Sequence, residues 1–252
     1  MELETVSIIM AAYNAGATVA RAVDSVLRQT YPRWELLVVN DGSSDNTAQI
    51  VRDYCARDPR IRLIDLPQNG GVSLARLTAA RQAAGEWLAI LDSDDAWQPE
   101  KLEKQFLLQE KTGASLLFTG SSFMDAAGNP LAWQMAVPTR ITYSTALNQN
   151  LISNSSALVR RSLYLAHYAQ GDAMHEDFAT WLSILKTGLT AYGVNEPLLI
   201  YRLSPSSRSG NKLRAARMNW NTYRYIGLSL PQAAYRMVRY TLNGLKKYRH
   251  LL

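Results

Sequence analysis

The chain predicts an α/β fold: a mostly parallel sheet with helices on both faces. Three observations carry this expectation. Apolar runs alternate with stretches of helical periodicity as far as residue 112. The runs are continuously apolar, as strands buried on both faces require. Clusters of Asn, Asp, Gly and Ser close several of them, where turns and helix caps are needed.

Residues 6–10 (VSIIM) form the first strand, and after the AAYNAG turn Val19, Val23, Val26 and Leu27 recur at helical spacing. Residues 36–39 (LLVV) are a second strand, closed by NDGSSDNT; Ile50, Val51 and Tyr54 then give a helix its apolar face. Residues 61–66 make a third strand, 72–84 a helix rich in Ala and Arg, and 87–91 (WLAIL) a fourth strand. Pro99 is placed to open a helix that buries Leu102 and Phe106. Beyond residue 112 the alternation weakens. A strand at 116–119, a hairpin turn at 125–130 (DAAGNP) and a helix at 177–187 (DFATWLSILKT) are expected there. A short strand at 198–201, the loop SPSSRSGNK and a basic helical tail complete the chain. The expected division is 1–205, with halves 1–112 and 113–205, followed by a tail at 206–252.

A chain of 252 residues with 47% hydrophobic content can bury a sizeable core and is not of disordered composition. Cys55 is its one cysteine, which rules out an internal disulfide and fits a reducing compartment. The first residues, MELE, are acidic where a signal peptide needs positive charge and then an apolar stretch. No apolar run approaches the ~20 residues of a membrane-spanning helix. A soluble, cytoplasmic protein is the expectation. The net charge of +6 conceals an asymmetry: from Arg202 onward there are 11 Lys and Arg and no Asp or Glu. Such an imbalance points to an anionic partner.

Ligands of an open parallel sheet bind beyond the carboxyl ends of its strands. Three polar clusters fall at those ends: Ala11-Ala12-Tyr13-Asn14, Asn40-Asp41-Gly42-Ser43 and Asp92-Ser93-Asp94-Asp95. A dinucleotide fingerprint is excluded, since AAYNAG supplies only Gly16, and no Walker loop occurs. An EF-hand would need Gly where Trp97 stands, and His167, His175 and His250 are too scattered for zinc. For Asp92, Asp94 and Asp95 there remain a solvated acidic turn or a hard divalent cation, Mg²⁺ or Mn²⁺. Their position after a buried strand, with two companion clusters on the same rim, favours the cation.

Five segments, SIIMAAYNA, LLVVNDGSSDNT, NGGVSLAR, GEWLAILDSDDAWQPEKLEKQ and HEDFATWLSIL, together resemble the family 2 inverting glycosyltransferases of the GT-A fold. The resemblance covers roughly residues 5–205. It is strongest to bacterial enzymes that extend lipid-linked O-antigen or capsule repeat units. It implies a GT-A domain with a C-terminal basic helical extension.

The resemblance also implies roles. Asp41 matches the acid that hydrogen-bonds the uracil of a UDP-sugar, and Ala12, Tyr13 and Asn14 match the turn around base and ribose. Arg76 matches a basic residue near the nucleotide. Asp92 takes the ribose or metal position of the DxD motif, Ser93 stands beside it among the nucleotide contacts, and Asp94 matches the direct ligand of Mn²⁺ or Mg²⁺. Asp95 is the adjacent acid and a third candidate ligand. Asp177 matches the catalytic base, with Glu176 in reserve. Inverting transfer is one in-line displacement, so a single carboxylate must take the acceptor's proton from the face opposite the leaving UDP. The alternative for Asp177 is an acid that complements the dipole of its helix.

The implied reaction moves a hexose, such as glucose or galactose, from a UDP-sugar to a polyprenyl-diphosphate-linked saccharide at the inner face of the bacterial membrane. Two rivals are a sugar-nucleotide nucleotidyltransferase, whose Gly-rich basic loop AAYNAG lacks, and an inactive nucleotide-sugar-binding scaffold. In the tail, Tyr235, Val238, Leu242 and Leu245 follow helical spacing, with Arg236, Arg239, Lys246 and Lys247 largely off the stripe. Such a helix rests on an anionic membrane surface or packs on the domain with a solvated basic face. No nucleic-acid-binding module is matched.

Overall fold

Continuous apolar runs become strands covered on both faces, as those at Val6–Ala12, Trp34–Asn40 and Trp87–Ile90 are, while the third, IRLID, is a partly exposed edge strand. The computed structural model of the chain describes residues 4–204 and 212–247, the side chains of 212 and 245–247 excepted. The SPSSRSGNK loop beyond Ser204 and the side chains of Leu245, Lys246 and Lys247 thus lie outside the described residues.

β1 (Val6–Ala12), β2 (Trp34–Asn40), β3 (Ile61–Asp65) and β4 (Trp87–Ile90) run parallel in the order β3-β2-β1-β4. They are joined through α1 (Val19–Leu27), α2 (Thr47–Cys55) and α3 (Val72–Gln82). Alternate residues serve opposite faces. Ile8, Met10, Leu36 and Val38 pack with Val19, Val23 and Val26 of α1. Ile9, Leu37 and Val39 pack with Ala75, Ala79 and Ala80 of α3, whose small side chains let the helix lie close.

β5 (Ala96–Trp97) and α4 (Lys101–Thr112) follow. The helix starts two residues later than Pro99: Glu100 is its N-cap, and the Pro99 carbonyl accepts from the Thr30 N–H (3.0 Å). Leu102 is buried, and Phe106 stacks on Tyr31 with ring centroids 4.5 Å apart. Gly113, at φ +66°, closes α4 in the left-handed conformation that glycine adopts without a Cβ penalty.

The second half adds β6 (Leu116–Met124), β7 (Pro130–Met135), β8 (Arg140–Ile141), α5 (Tyr143–Ala146), a 3₁₀ turn (Asn154–Ser156) and β9 (Leu158–Arg160). Then come α6 (Arg161–His167), α7 (Glu176–Lys186) and β10 (Ala191–Arg202). The sheet continues without a break as β4-β9-β6-β10-β5, with β9 antiparallel to both neighbours and β10 parallel to β6. The short strand expected at 198–201 is the end of this longer β10. Its register slips between Val194 and Leu199, around Asn195-Glu196-Pro197. Proline cannot donate to a ladder and is tolerated at such a bulge, so the sequence reads as a turn there.

α8 (Lys212–Tyr225) and α9 (Leu230–Lys247) pack on the domain. Tyr223, Ile226 and Ala233 join the core beside Phe178 and Trp181, and Met237 and Tyr240 pack against it. The stripe read from the spacing points the other way: Tyr235, Val238 and Leu242 face solvent. Among the described residues no helix is long and apolar enough to cross a membrane.

Lys101 is wholly buried; its Nζ donates to Gln105 Oε1 (2.8 Å) and lies 4.0 Å from the centroid of the Trp97 ring. Burial pushes its pKa well below the ordinary lysine value. An unfolded lysine keeps its proton up to about pH 10.4, whereas the folded one sheds it earlier. Stability therefore rises with pH across that window. Urea unfolding of Lys101→Met at about pH 7 and about pH 9 should show that rise flattened. An unchanged slope would mean that Lys101 stays charged in the fold.

Candidate active site

β1 and β2 end side by side, with Ala12 opposite Asn40, so their turns share the rim of the sheet. Side chains fasten the two turns together. Ser43 Oγ accepts from the Asn14 N–H (3.0 Å), and Asn14 Oδ1 accepts from the Ser44 N–H (2.9 Å). Asn14 sits at φ 48°, a left-handed conformation that asparagine tolerates. Thr47 Oγ1 and Asp45 Oδ2 then accept from the N–H groups of Ala15 (2.8 Å) and Gly16 (2.9 Å).

Asp41 is buried at the end of β2, and its two carboxylate oxygens accept from the N–H groups of Gly70 (2.7 Å) and Gly71 (3.0 Å). The NGG loop thus wraps the acid. Gly71 has φ +89°, and a Cβ there would come within 1.8 Å of Asp172 Oδ2. Asp172 Oδ1 in turn accepts from the Ser73 N–H (3.2 Å), which ties the segment before α7 to the start of α3.

Arg76, on α3, is buried and gives Nη2 to Asp92 Oδ1 and Nη1 to Glu176 Oε1. The Asn154 amide oxygen accepts from Arg76 Nη2 (2.9 Å) and Nε (3.3 Å) in the orientation that the surrounding hydrogen bonds select. Burial alone would lower the guanidinium pKa; the Asp92 and Glu176 carboxylates outweigh it and hold the group well above its ordinary value. Arg76 does line the cavity, but its charge is committed to these two carboxylates.

The acidic turn follows β4. The Asp92 N–H donates to Ser155 Oγ (3.1 Å). Burial, then the charge of Asp92, pushes Asp94 upward; burial, then Asp94 and Asp92, pushes Asp95 well above the usual carboxylate range. Asp95 Oδ1 accepts from the Arg202 N–H (2.9 Å), while its buried Oδ2 has no hydrogen-bond partner. Asp95 therefore also pins the end of β10 to this turn. Raised carboxyls and an orphaned buried oxygen mark uncompensated negative charge, which a cation would relieve. Among the described residues no three acids or histidines converge as a ready cage. The donor set fits an ion held by one or two carboxylates and completed by substrate phosphates, the habit of Mg²⁺ and Mn²⁺.

Asp177 lies in the first turn of α7 and faces the cavity. Burial, then the neighbouring Glu176 charge, pushes its pKa up, and His175 pulls partly back. Glu176 is wholly buried and held by Arg76. Every site residue named from sequence except Glu176 lines one cavity of about 1170 Å³.

Sequence reasoning missed several residues of this site. Asn154 and Ser155 come from the SNSS segment, a polar run without a recognisable motif. Arg202 ends β10, and its Nε donates to the Asp94 carbonyl (2.9 Å). Phe123, Trp133 and Tyr201 make an aromatic wall, with Phe123 and Trp133 stacked at 4.1 Å. Their gathering depends on pairing of β6 with β7 and β10, which spacing along the chain does not reveal.

Known proteins resemble this chain in sequence and in fold. TuaG of Bacillus subtilis (strain 168), a glycosyltransferase assigned to teichuronic acid biosynthesis, is 39% identical over 243 residues, covering 96% of each chain. The Escherichia coli enzyme WfgD, a UDP-Glc:alpha-D-GlcNAc-diphosphoundecaprenol beta-1,3-glucosyltransferase, is 35% identical over 96% of this chain and 94% of its own. The crystal structure of residues 1–349 of S. aureus TarS with UDP superposes with a TM-score of 0.71 at 19% identity, over 98% of this chain and 73% of that one. The Pyrobaculum calidifontis mannosyltransferase PcManGT, solved with GDP-Man and Mn²⁺, gives 0.71 at 19% identity, over 98% and 70%. The family model for Glycosyl transferase family 2 matches residues 7–166. With the mixed sheet and its rim of acids, these matches establish that the chain belongs to glycosyl transferase family 2 and carries the GT-A fold.

Proposed function

We propose that the protein is an inverting, metal-assisted transferase that moves a hexose from a UDP-sugar to a polyprenyl-diphosphate-linked saccharide during bacterial surface polysaccharide assembly. The observation that carries this reading is one cavity shared by Asp41, the acids of the DSDD turn and Asp177. An ionised carboxylate only accepts hydrogen bonds. Asp41 therefore suits the ring N–H of uracil and disfavours cytosine, whose corresponding nitrogen accepts. Asp177, with its raised proton affinity, suits the acceptor hydroxyl's proton. Arg76 pairs with Asp92 and Glu176, and of the adjacent acids Glu176 and Asp177 it is Asp177 that faces the cavity. Asp94, with Asp92, would hold Mn²⁺ or Mg²⁺; the ion, when bound, stabilises charge on the departing diphosphate. The donor and acceptor in WfgD's name, UDP in TarS and Mn²⁺ in PcManGT support the substrate classes and the metal. Such an acceptor puts the protein's work at the inner surface of the cytoplasmic membrane.

Calorimetric titration with UDP, GDP, CDP and dTDP, with and without Mn²⁺, tests this reading. UDP should bind selectively and more tightly with metal, and Asp94→Ala should remove the metal effect. UDP binding indifferent to metal would take the ion out of the mechanism; no nucleotide binding at all would sink the proposal.

A second measurement needs no turnover. Without divalent ions, Asp94→Asn should be more stable than wild type by about 1 kcal/mol, or roughly 2–4 °C in Tm, because a repelled charge is gone. Saturating Mn²⁺ should raise the wild-type Tm and leave that of the variant unchanged.

A further inference from the structure

We infer that the outward face of α9 docks the protein on an anionic lipid surface; this deepens the acceptor reading above and rests on it. Tyr235 is 55% exposed, Val238 60% and Leu242 52%. At 100° per residue the three fall within a sector of about 60°. The seat against the domain is already filled from the opposite side by Ala233, Met237 and Tyr240. The helix thus carries two apolar faces, one of them without a place in the core.

Charge selects the occupant. The chain from Arg202 onward holds 11 basic residues and no acid. On α9 the guanidiniums of Arg236 and Arg239 lie 5.6 and 6.0 Å from the centroid of the Tyr235 ring; Arg239 is exposed beside this face, while Arg236 also donates to Asn148 Oδ1 of the domain (2.7 Å). An anionic bilayer accepts apolar side chains at the headgroup boundary and attracts the surrounding cations. A second copy of this face would bring like charges together.

The inner side of the same helix contributes Tyr240 and Gly244 to the wall of the cavity. A bilayer against the outer face would therefore lie about one helix diameter, roughly 10 Å, from the cavity. A saccharide on a lipid diphosphate could enter while its lipid stays in the membrane.

The test is flotation of the full chain with vesicles of phosphatidylcholine alone or with about a third phosphatidylglycerol. Wild type should float with the anionic vesicles, and Val238→Glu with Leu242→Glu should lower the bound fraction about tenfold or more. Tyr235→Ala should give a smaller loss. The melting temperature of the double variant and its UDP binding should match wild type, since the altered side chains are more than half exposed. Flotation without UDP binding would keep the docking face and remove the donor reading. Wild type that fails to float, or a double variant that floats equally well, overturns the docking. So does a dimer in sedimentation that the double variant abolishes without any flotation, because the face would then join two copies.

Discussion

Asp177→Asn should slow transfer roughly 10²–10⁴-fold while UDP affinity stays within about twofold. The substitution keeps the size of the side chain and removes only its capacity to take a proton. The wild-type pH profile supplies a second readout. Burial and Glu176 raise the Asp177 pKa, and on the proposed mechanism it is the deprotonated form that takes the proton. kcat/KM should therefore fall as pH drops through a value above the ordinary carboxylate range, about 3.9 for Asp. That acid limb should vanish from the residual rate of the variant. Equal turnover in the two proteins would remove Asp177 from the chemistry, and absence of turnover in both would favour a nucleotide-sugar-binding scaffold.

Arg76→Met should cost about 3–5 kcal/mol of stability and abolish activity, because it removes the guanidinium paired with the wholly buried Glu176. The expected fall in Tm is on the order of 10 °C. Adding Glu176→Gln to that variant should recover most of the stability and little of the activity, since Asp92 would still lack its partner. Urea denaturation of wild type, both single variants and the double closes the cycle. If the double loses as much as the two singles together, the pair is not compensating charge and the assignment of Arg76 is wrong.

The first half of the fold was legible because each of its elements is specified locally. VSIIM, LLVV and WLAIL are apolar at every position but Ser7, and parallel strands buried on both faces need that pattern and no partner to announce it. The acids of the rim were legible for the same reason, as they follow those strands directly. β10 was not. Its bulge at Asn195-Glu196-Pro197 reads as a turn, and its pairing with β6, β8 and β5 is fixed by contacts far along the chain. The stripe of α9 shows the limit of periodicity: spacing found an apolar face at Tyr235, Val238 and Leu242, but the core took Ala233, Met237 and Tyr240 instead. Tyr240 meets Phe178 of α7 with ring centroids 6.0 Å apart, a contact between distant segments that spacing along α9 does not encode. Arg76 reads from sequence as a basic residue near the nucleotide; the carboxylates it pairs with, Asp92 after β4 and Glu176 on α7, lie 16 and 100 residues along the chain and meet it only in three dimensions.

The bond from the Arg202 N–H to Asp95 joins positions 107 residues apart, and among the described residues β5 pairs with β10 alone. A growing chain can lay down β3-β2-β1-β4 from its first 90 residues. At synthesis rates of about 5–20 residues per second, the acidic turn then waits several seconds for the strand that fixes it. Contacts of such long separation are also slow to form. On the proposed reading donor binding comes late in synthesis: a half-made chain holds a formed sheet but lacks the end of β10 that pins the acidic turn.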